Sequence, residues 1–476
     1  MIGYEPLKTI SLQSRNGSKL LVPGIVEEMS IIADLSTRGN GLSNLACVVM
    51  TALKEFLNEI FETICEENYE KVSKILSIEI EKINVEEKAI LSKRKQSVTI
   101  KMRVLNEISA HENLEVLVKN CGNSFDLENK EIWNLLISSH LKVLKHLNST
   151  EETNLKRFFN ASNEQINVVN NFLRIFVNAS QLPLLYVIGG DCWKLAAISG
   201  SSEAQEQAAR AINKLFIACI TERSSLSPQS RKWGTYRIAA LLLRVYFHLG
   251  QLNLVQNVLK ALKACELPGI DEFPRAHTVT FNYFLGRYHY GREEFESAET
   301  CFMFCFDRLR NSDSFSSHFD AVLHFLIPIK LILHLSKPTF ELISMFKSEQ
   351  NRLFYANLVE FISAGDLESF KSLINQNYKQ LIKADSYSLY EKLILLIIRQ
   401  RIRRIHLKTD NSTRISLNLL HNLCDKETTL EDVTCFVANL ISRGLIRGYI
   451  SEEKRFLVLS AQNPFPNNLI SALCDK

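Results

Sequence analysis

Apolar residues along most of this chain recur at intervals of three and four, the spacing of one face of a helix. Leu53, Phe56, Leu57 and Ile60 form one such stripe, and Leu135, Leu136, Leu141, Val143, Leu144 and Leu147 continue the pattern. Residues 236–247 (YRIAALLLRVYF) are apolar nearly all round and predict a buried helix, followed by one with Val255, Val258, Leu259 and Leu262 on one face. Further on, Gly286, Ala298, Phe302 and Cys305 fall where a tetratricopeptide-type helix pair places small residues that let two helices approach closely. Gly365-Asp366-Leu367 marks another joint between helices. Gly189-Gly190-Asp191 reads as a helix–helix turn, because a phosphate loop needs more glycines at fixed spacing and a Lys-Ser or Lys-Thr.

The pattern changes near the end of the chain. Residues 414–424 read as a short helix. Thr429, with Asp432 three positions on, forms a capping box for the next helix. Its apolar stripe is Val433, Phe436, Val437, Leu440 and Ile441, and Gly444 sits where a helix ends in a left-handed residue. Two β-prone runs follow, Ile446–Ile450 and Phe456–Ser460, with Ser451–Lys454 as the turn between them. Helices followed by a hairpin make a winged helix. The expected architecture is therefore all-α with a small α+β end: a superhelical stack of helix pairs, then a winged-helix domain.

The expected organisation is an N-terminal arm over 1–45, an N-terminal helical region over 46–205, a helical-repeat part over 206–408, a winged-helix part over 409–466 and a tail over 467–476. Asn16-Gly17 and Arg38-Gly39-Asn40-Gly41 are loop signals in the arm, which is expected either partly disordered or packed as a short extension.

Composition sharpens this picture. The 476 residues include only 17 Gly and 10 Pro, too few for a turn-rich β fold. The N-terminus lacks the apolar run of a secretory leader. No uninterrupted apolar run reaches membrane-spanning length; the nearest, Leu323 to Leu335, is broken by His324, Pro328, Lys330 and His334. The eleven Cys form no Cys-x-x-Cys pair, and Cys219, Cys301, Cys305 and Cys435 all fall within apolar helical patterns. Cysteine used as a small buried hydrophobe in a reduced, cytoplasmic or nuclear compartment fits that usage. The eleven His form no His-Glu-x-x-His motif, and no nucleophile elbow, phosphate loop or dinucleotide motif is visible. The reading is a non-catalytic protein without metal or cofactor.

The net charge is only +4, so the distribution of charge decides more than its total. Arg399, Arg401, Arg403, Arg404 and Lys408 cluster at the end of one helix, with Ile398, Ile402 and Ile405 as its buried stripe. Arg443, Arg447, Lys454 and Arg455 decorate the winged helix and its hairpin. Such a surface binds phosphates through counterion release; equally, it is a solvated basic helix end favoured by the helix dipole. The capped helix opens with Glu431 and Asp432, which argues against base reading in a major groove. In the hairpin, Phe456 and Val458 face one side and Leu457 and Leu459 the other, so one apolar face is left for the repeat helices or for a partner.

Several segments resemble the PCI family, named for the proteasome lid, the signalosome and an initiation factor. They are Glu222–Leu262 (ERSSLSPQSRKWGTYRIAALLLRVYFHLGQLNLVQNVLKAL), Ala438–Pro466 (ANLISRGLIRGYISEEKRFLVLSAQNPFP), and, in the same order of type, FPRAHTVTFNYFLGRYHY and YEKLILLIIRQRIRR. The resemblance spans roughly 205–466 and points to a branch containing a nuclear-pore mRNA-export subunit of a TREX-type complex and its signalosome-associated relative. Two positions depart from the pattern, Arg399-Gln400-Arg401 for Arg-Asn-Leu and Glu222-Arg223 for Asp-Arg. The resemblance implies an assembly module in the nucleus at the pore, and also in the cytoplasm. Implied partners are a large GANP-type helical scaffold and a small, acidic, disordered subunit, with RNA or DNA bound without sequence preference. The alternatives are a signalosome-associated subunit and an independent winged-helix DNA-binding regulator.

Overall fold

The computed structural model describes residues 51–78, 104–149, 153–222, 227–309, 316–334, 338–422 and 428–466. The arm over 1–45, the tail over 467–476 and Arg223 of the resemblance lie outside these residues.

The first half is a stack of helices: α1 (Thr51–Cys65), α2 (Tyr69–Ile75), α3 (Leu114–Gly122), α4 (Lys130–Asn148), α5 (Asn154–Ile175), α6 (Leu182–Ser199), α7 (Ser202–Ile220), α8 (Thr235–Leu249) and α9 (Asn253–Ala264). Most pack on their sequence neighbours, as short connections between helices favour, while α2 packs chiefly on α6 and α5 also meets α7. One apolar core runs unbroken from Leu53 to Tyr288, across residue 205. A second begins within α10 (Arg275–Gly291) and extends through α11 (Phe295–Leu309), α12 (Ser316–His334), α13 (Phe340–Ser344), α14 (Glu349–Ala364), α15 (Leu367–Gln376), α16 (Tyr378–Lys383) and α17 (Tyr387–Lys408) into the winged helix. Helix α10 contributes residues to both cores and so joins the two halves.

The α10–α11 pair follows the spacing read from the sequence. A Cβ built on Gly286 would lie 3.0–3.1 Å from the Phe302 ring, so the ring occupies the space that a side chain would take. Ala298, Phe302 and Cys305 are fully buried. Burial pushes the thiols of Cys219 up to about 12 and Cys301 up to about 11, as small buried hydrophobes require. Cys435 departs from that reading and is exposed.

One further expectation fails. Gly189 and Gly190 do not form a turn but lie inside α6. Each glycine costs a helix interior about 1 kcal/mol, offset here by a helix covered on several sides, with Leu184, Leu185, Ile188 and Leu195 buried. Gly189 sits beneath Leu215 of α7, and Asp191 accepts the backbone N–H of Ile78 at 3.0 Å. The stretch Ala179–Ser199 is long and apolar enough by length and composition to cross a membrane, although Asp191 and Lys194 interrupt it; 61% of its most apolar 18 residues is buried inside the protein.

Strand among the described residues is confined to the winged helix. β1 (Arg414–Ser416), α18 (Leu417–Asn422), α19 (Leu430–Ser442), β2 (Gly448–Ser451) and β3 (Phe456–Leu459) follow α17 in order. The sheet has three antiparallel strands in the order β1-β3-β2. Residues 414–416 thus form a strand in place of the expected start of a short helix, and the helix begins at Leu417.

The caps of α19 are as read. Thr429 Oγ1 accepts from the Asp432 N–H at 3.1 Å, and the Asp432 carboxylate accepts from the Thr429 N–H at 2.9 Å. Gly444 has φ +69° and nothing within 4 Å of a built Cβ. Gly444→Val should therefore cost only the conformational term, about 1–2 kcal/mol. An unchanged melting temperature for the variant would show that the left-handed cap does not matter.

Candidate nucleic-acid interface

The basic cluster at the end of α17 is not one surface. Arg399 is 3% exposed. Its Nε donates to the Leu445 carbonyl and its Nη2 to the Pro466 carbonyl, each at 3.0 Å, and its guanidinium lies 5.8 Å from the centre of the Phe465 ring. Burial, with Arg403 adding a smaller effect, lowers its pKa to about 10. It remains cationic at neutral pH and is held by carbonyl dipoles and an aromatic face in place of a carboxylate. No phosphate reaches such a group, so Arg399 is not part of the interface. It clamps the segment after β3 against the repeat helix instead.

Arg401 and Arg404 also have internal duties. Arg401 Nε donates to the Gly365 carbonyl and Arg404 Nη1 to the Ala364 carbonyl, both at 2.7 Å. These are orphan carbonyls where α14 ends, and a cation there satisfies both hydrogen bonding and the dipole. Gly365 makes the approach possible: its φ is +68°, and a Cβ would stand 3.0 Å from the backbone of Arg401. Arg404 remains exposed and Arg401 is half-buried.

Arg403 and Lys408 on α17 are exposed, as are Arg447, Lys454 and Arg455 on and beside the hairpin. Arg443 is half-buried at the end of α19. Arg414, which the sequence did not single out, joins the exposed group on β1. The winged helix thus carries exposed basic side chains at its sheet and hairpin. Glu431 and Asp432 are exposed at the start of α19, where hydrogen bonds from the Thr429 hydroxyl and backbone N–H hold the Asp432 carboxyl below its usual range.

The four hairpin residues do not form a single partner face either. Leu457 is fully buried and Leu459 is 3% exposed, in the same core as Ile415, Leu440 and Leu445. They are the inner face, out of a partner's reach. Phe456 is 36% exposed and Val458 half-buried on the outer face. The register pairs Val458 with both Arg414 and Tyr449, which brings Tyr449, 62% exposed, onto the same face. The alternation of the hairpin defines two faces; which one is inner depends on Ile415, in a strand that the sequence does not announce.

Comparison with known proteins agrees with this architecture. Residues 374–461, from the end of α15 to just past β3, match the PCI domain model. The chain is 32% identical over 278 residues to the CSN12 homolog of Schizosaccharomyces pombe, covering 57% of this chain and 64% of that protein. It is 29% identical to the Mycosarcoma maydis CSN12 homolog, covering 63% of that protein. The matches thus span slightly less than two thirds of these fungal relatives. It is also 26% identical over 345 residues to the PCI domain-containing protein 2 homolog of Drosophila melanogaster, covering 70% of this chain and 84% of that protein. The chain thus carries a PCI domain where its helical stack ends in a three-stranded winged helix, and it is similar to proteins named CSN12 homolog and PCI domain-containing protein 2 homolog.

Proposed function

We propose that this chain is a non-catalytic scaffold subunit of a nuclear-pore-associated complex that couples transcription to mRNA export. It docks on a large GANP-type helical scaffold, holds a small acidic subunit and binds nucleic acid without sequence preference. The observation that carries the nucleic-acid part is the distribution of charge on the winged helix and the helix before it. Exposed Arg403, Lys408, Arg447, Lys454 and Arg455 lie on α17 and the hairpin, while α19 opens with two exposed acids. Contacts then go to phosphates, which fix position and carry no sequence information. Similarity to PCI domain-containing protein 2 homologues over 70% of the chain supports the export reading. Higher identity to the CSN12 homologs favours the second reading, a signalosome-associated subunit.

The test is a salt series on the purified complex with several unrelated oligonucleotides. Arg403→Glu combined with Lys454→Glu should weaken binding to all of them alike. The log–log salt slope should flatten by about 0.7–0.9 for each phosphate that is no longer neutralised. Failure of the unaltered complex to bind at low salt would reduce the cluster to a solvated helix end. A strong preference for one duplex sequence would favour the independent DNA-binding regulator.

A further inference from the structure

The outer face of the winged-helix sheet is built differently from an ordinary solvated sheet. An antiparallel sheet with one face in water alternates apolar residues inward with polar residues outward. The inner face here obeys: Ile415 and Leu457 are buried, and Ile450, their neighbour in register, is half-buried. The outer face does not. One row across the three strands reads Arg414, Val458, Tyr449, and the next reads Ser416, Phe456, Ser451. Tyr449 is 62% exposed and Phe456 36%, with Arg414 exposed at the β1 end of the first row. A single exposed aromatic is ordinary. Two aromatics and a valine together, with an arginine in the same row, on the side of the sheet away from its own core, are a surface awaiting a partner.

We infer that this sheet face is a stacking platform for single-stranded nucleic acid, with Tyr449 and Phe456 each receiving a base and Arg414 a phosphate or a further base. This rests on the nucleic-acid part of the proposed function and names the ligand class. Tyr449 stands opposite Val458, and Phe456 opposite Ser451, so the two rings are diagonal neighbours on one antiparallel pair. Such neighbours lie roughly 7–8 Å apart, a separation that successive bases of an unstacked strand can bridge. Base–aromatic stacking tolerates any sequence because every base has a π face. The charge around the platform matches a nucleic acid. Arg414, Arg447, Lys454 and Arg455 are exposed on the strands and turn, against Glu452 and Glu453 in the same turn. A duplex hides its base faces, so the platform discriminates against it, and the acidic start of α19 removes the usual alternative of groove reading.

The experiment uses the full chain in its complex, with labelled oligonucleotides of about 16 residues: oligo-dT, oligo-U and a duplex of equal length. The expected order is both single strands tighter than the duplex. Tyr449→Ala with Phe456→Ala should weaken single-strand binding about tenfold or more while leaving the log–log salt slope unchanged, since every phosphate partner stays in place. Tyr449→Phe with Phe456→Tyr keeps both rings and should bind as the unaltered chain does. Because both side chains are exposed, the melting temperature of each variant reports whether the fold has survived. Unchanged single-strand affinity in the folded alanine variant overturns the inference, as does equal affinity for duplex and single strand. A variant that binds oligonucleotides normally but loses a protein subunit of the complex also overturns it and makes the face a protein interface. Absence of all binding by the unaltered complex at low salt is a separate outcome, and it removes the parent reading with the platform.

Discussion

Leu457→Asp with Leu459→Asp should unfold the winged helix, with a loss of roughly 4 kcal/mol or more. Both side chains are buried among Ile415, Leu440 and Leu445, so each new carboxylate would be desolvated among apolar neighbours. The outward pair behaves differently. Phe456→Asp with Val458→Asp exchanges exposed or half-buried apolar surface for charge and should cost about 1 kcal/mol, mostly in strand preference. Denaturant titration followed by circular dichroism compares the two. A greater loss from the Phe456 and Val458 pair would mean that the faces have been assigned the wrong way round, and equal losses that the faces do not differ in burial. On the sequence alone, either pair reads equally well as the face left for a partner. In this structure the Leu457 and Leu459 pair gives a folding variant, and any partner it fails to hold is released through unfolding.

Arg399→Ala should cost about 2–4 kcal/mol, more than any other substitution in the basic cluster. The change leaves the Leu445 and Pro466 carbonyls without their donors and removes a side chain from a filled space. Arg399→Lys should not restore stability, because an ammonium is a point charge and lacks the planar fork that reaches two carbonyls at once. Arg403 is exposed, and Arg403→Ala should change stability by less than about 0.5 kcal/mol. Melting of the three variants checks the order. If Arg399→Ala and Arg403→Ala melt together, Arg399 is not the clamp between the repeat helix and the segment ending at Pro466.

Much of the fold is legible in the sequence because its signals are local. Thr429 and Asp432 cap each other across three residues, Gly444 ends the same helix, and Gly286 meets Phe302 across one short connection. What failed depended on residues distant in sequence. Arg399 reads like its neighbours until Leu445 and Pro466 arrive, 46 and 67 residues later, to accept its hydrogens. Arg401 and Arg404 likewise serve carbonyls 36 and 40 residues earlier. Helical spacing separates rows of arginines; it carries no information about which row meets a carbonyl and which meets water. Three residues, Arg414–Ser416, are too few for β1 to show alternation, and without β1 nothing in the sequence decides which hairpin face is inner. Gly189 and Gly190 misled for the opposite reason: their local cost is real, and tertiary burial outweighs it.

Affinity purification of the full chain, with identification of the proteins that remain after a wash at high salt, tests the scaffold assignment most directly. Salt strips phosphate contacts and leaves apolar interfaces in place. The expected result is a large helical scaffold protein and a small acidic chain, retained in constant ratio and unaffected by Arg403→Glu with Lys454→Glu. Recovery of signalosome subunits in their place, or of the chain alone, would contradict the export-complex assignment.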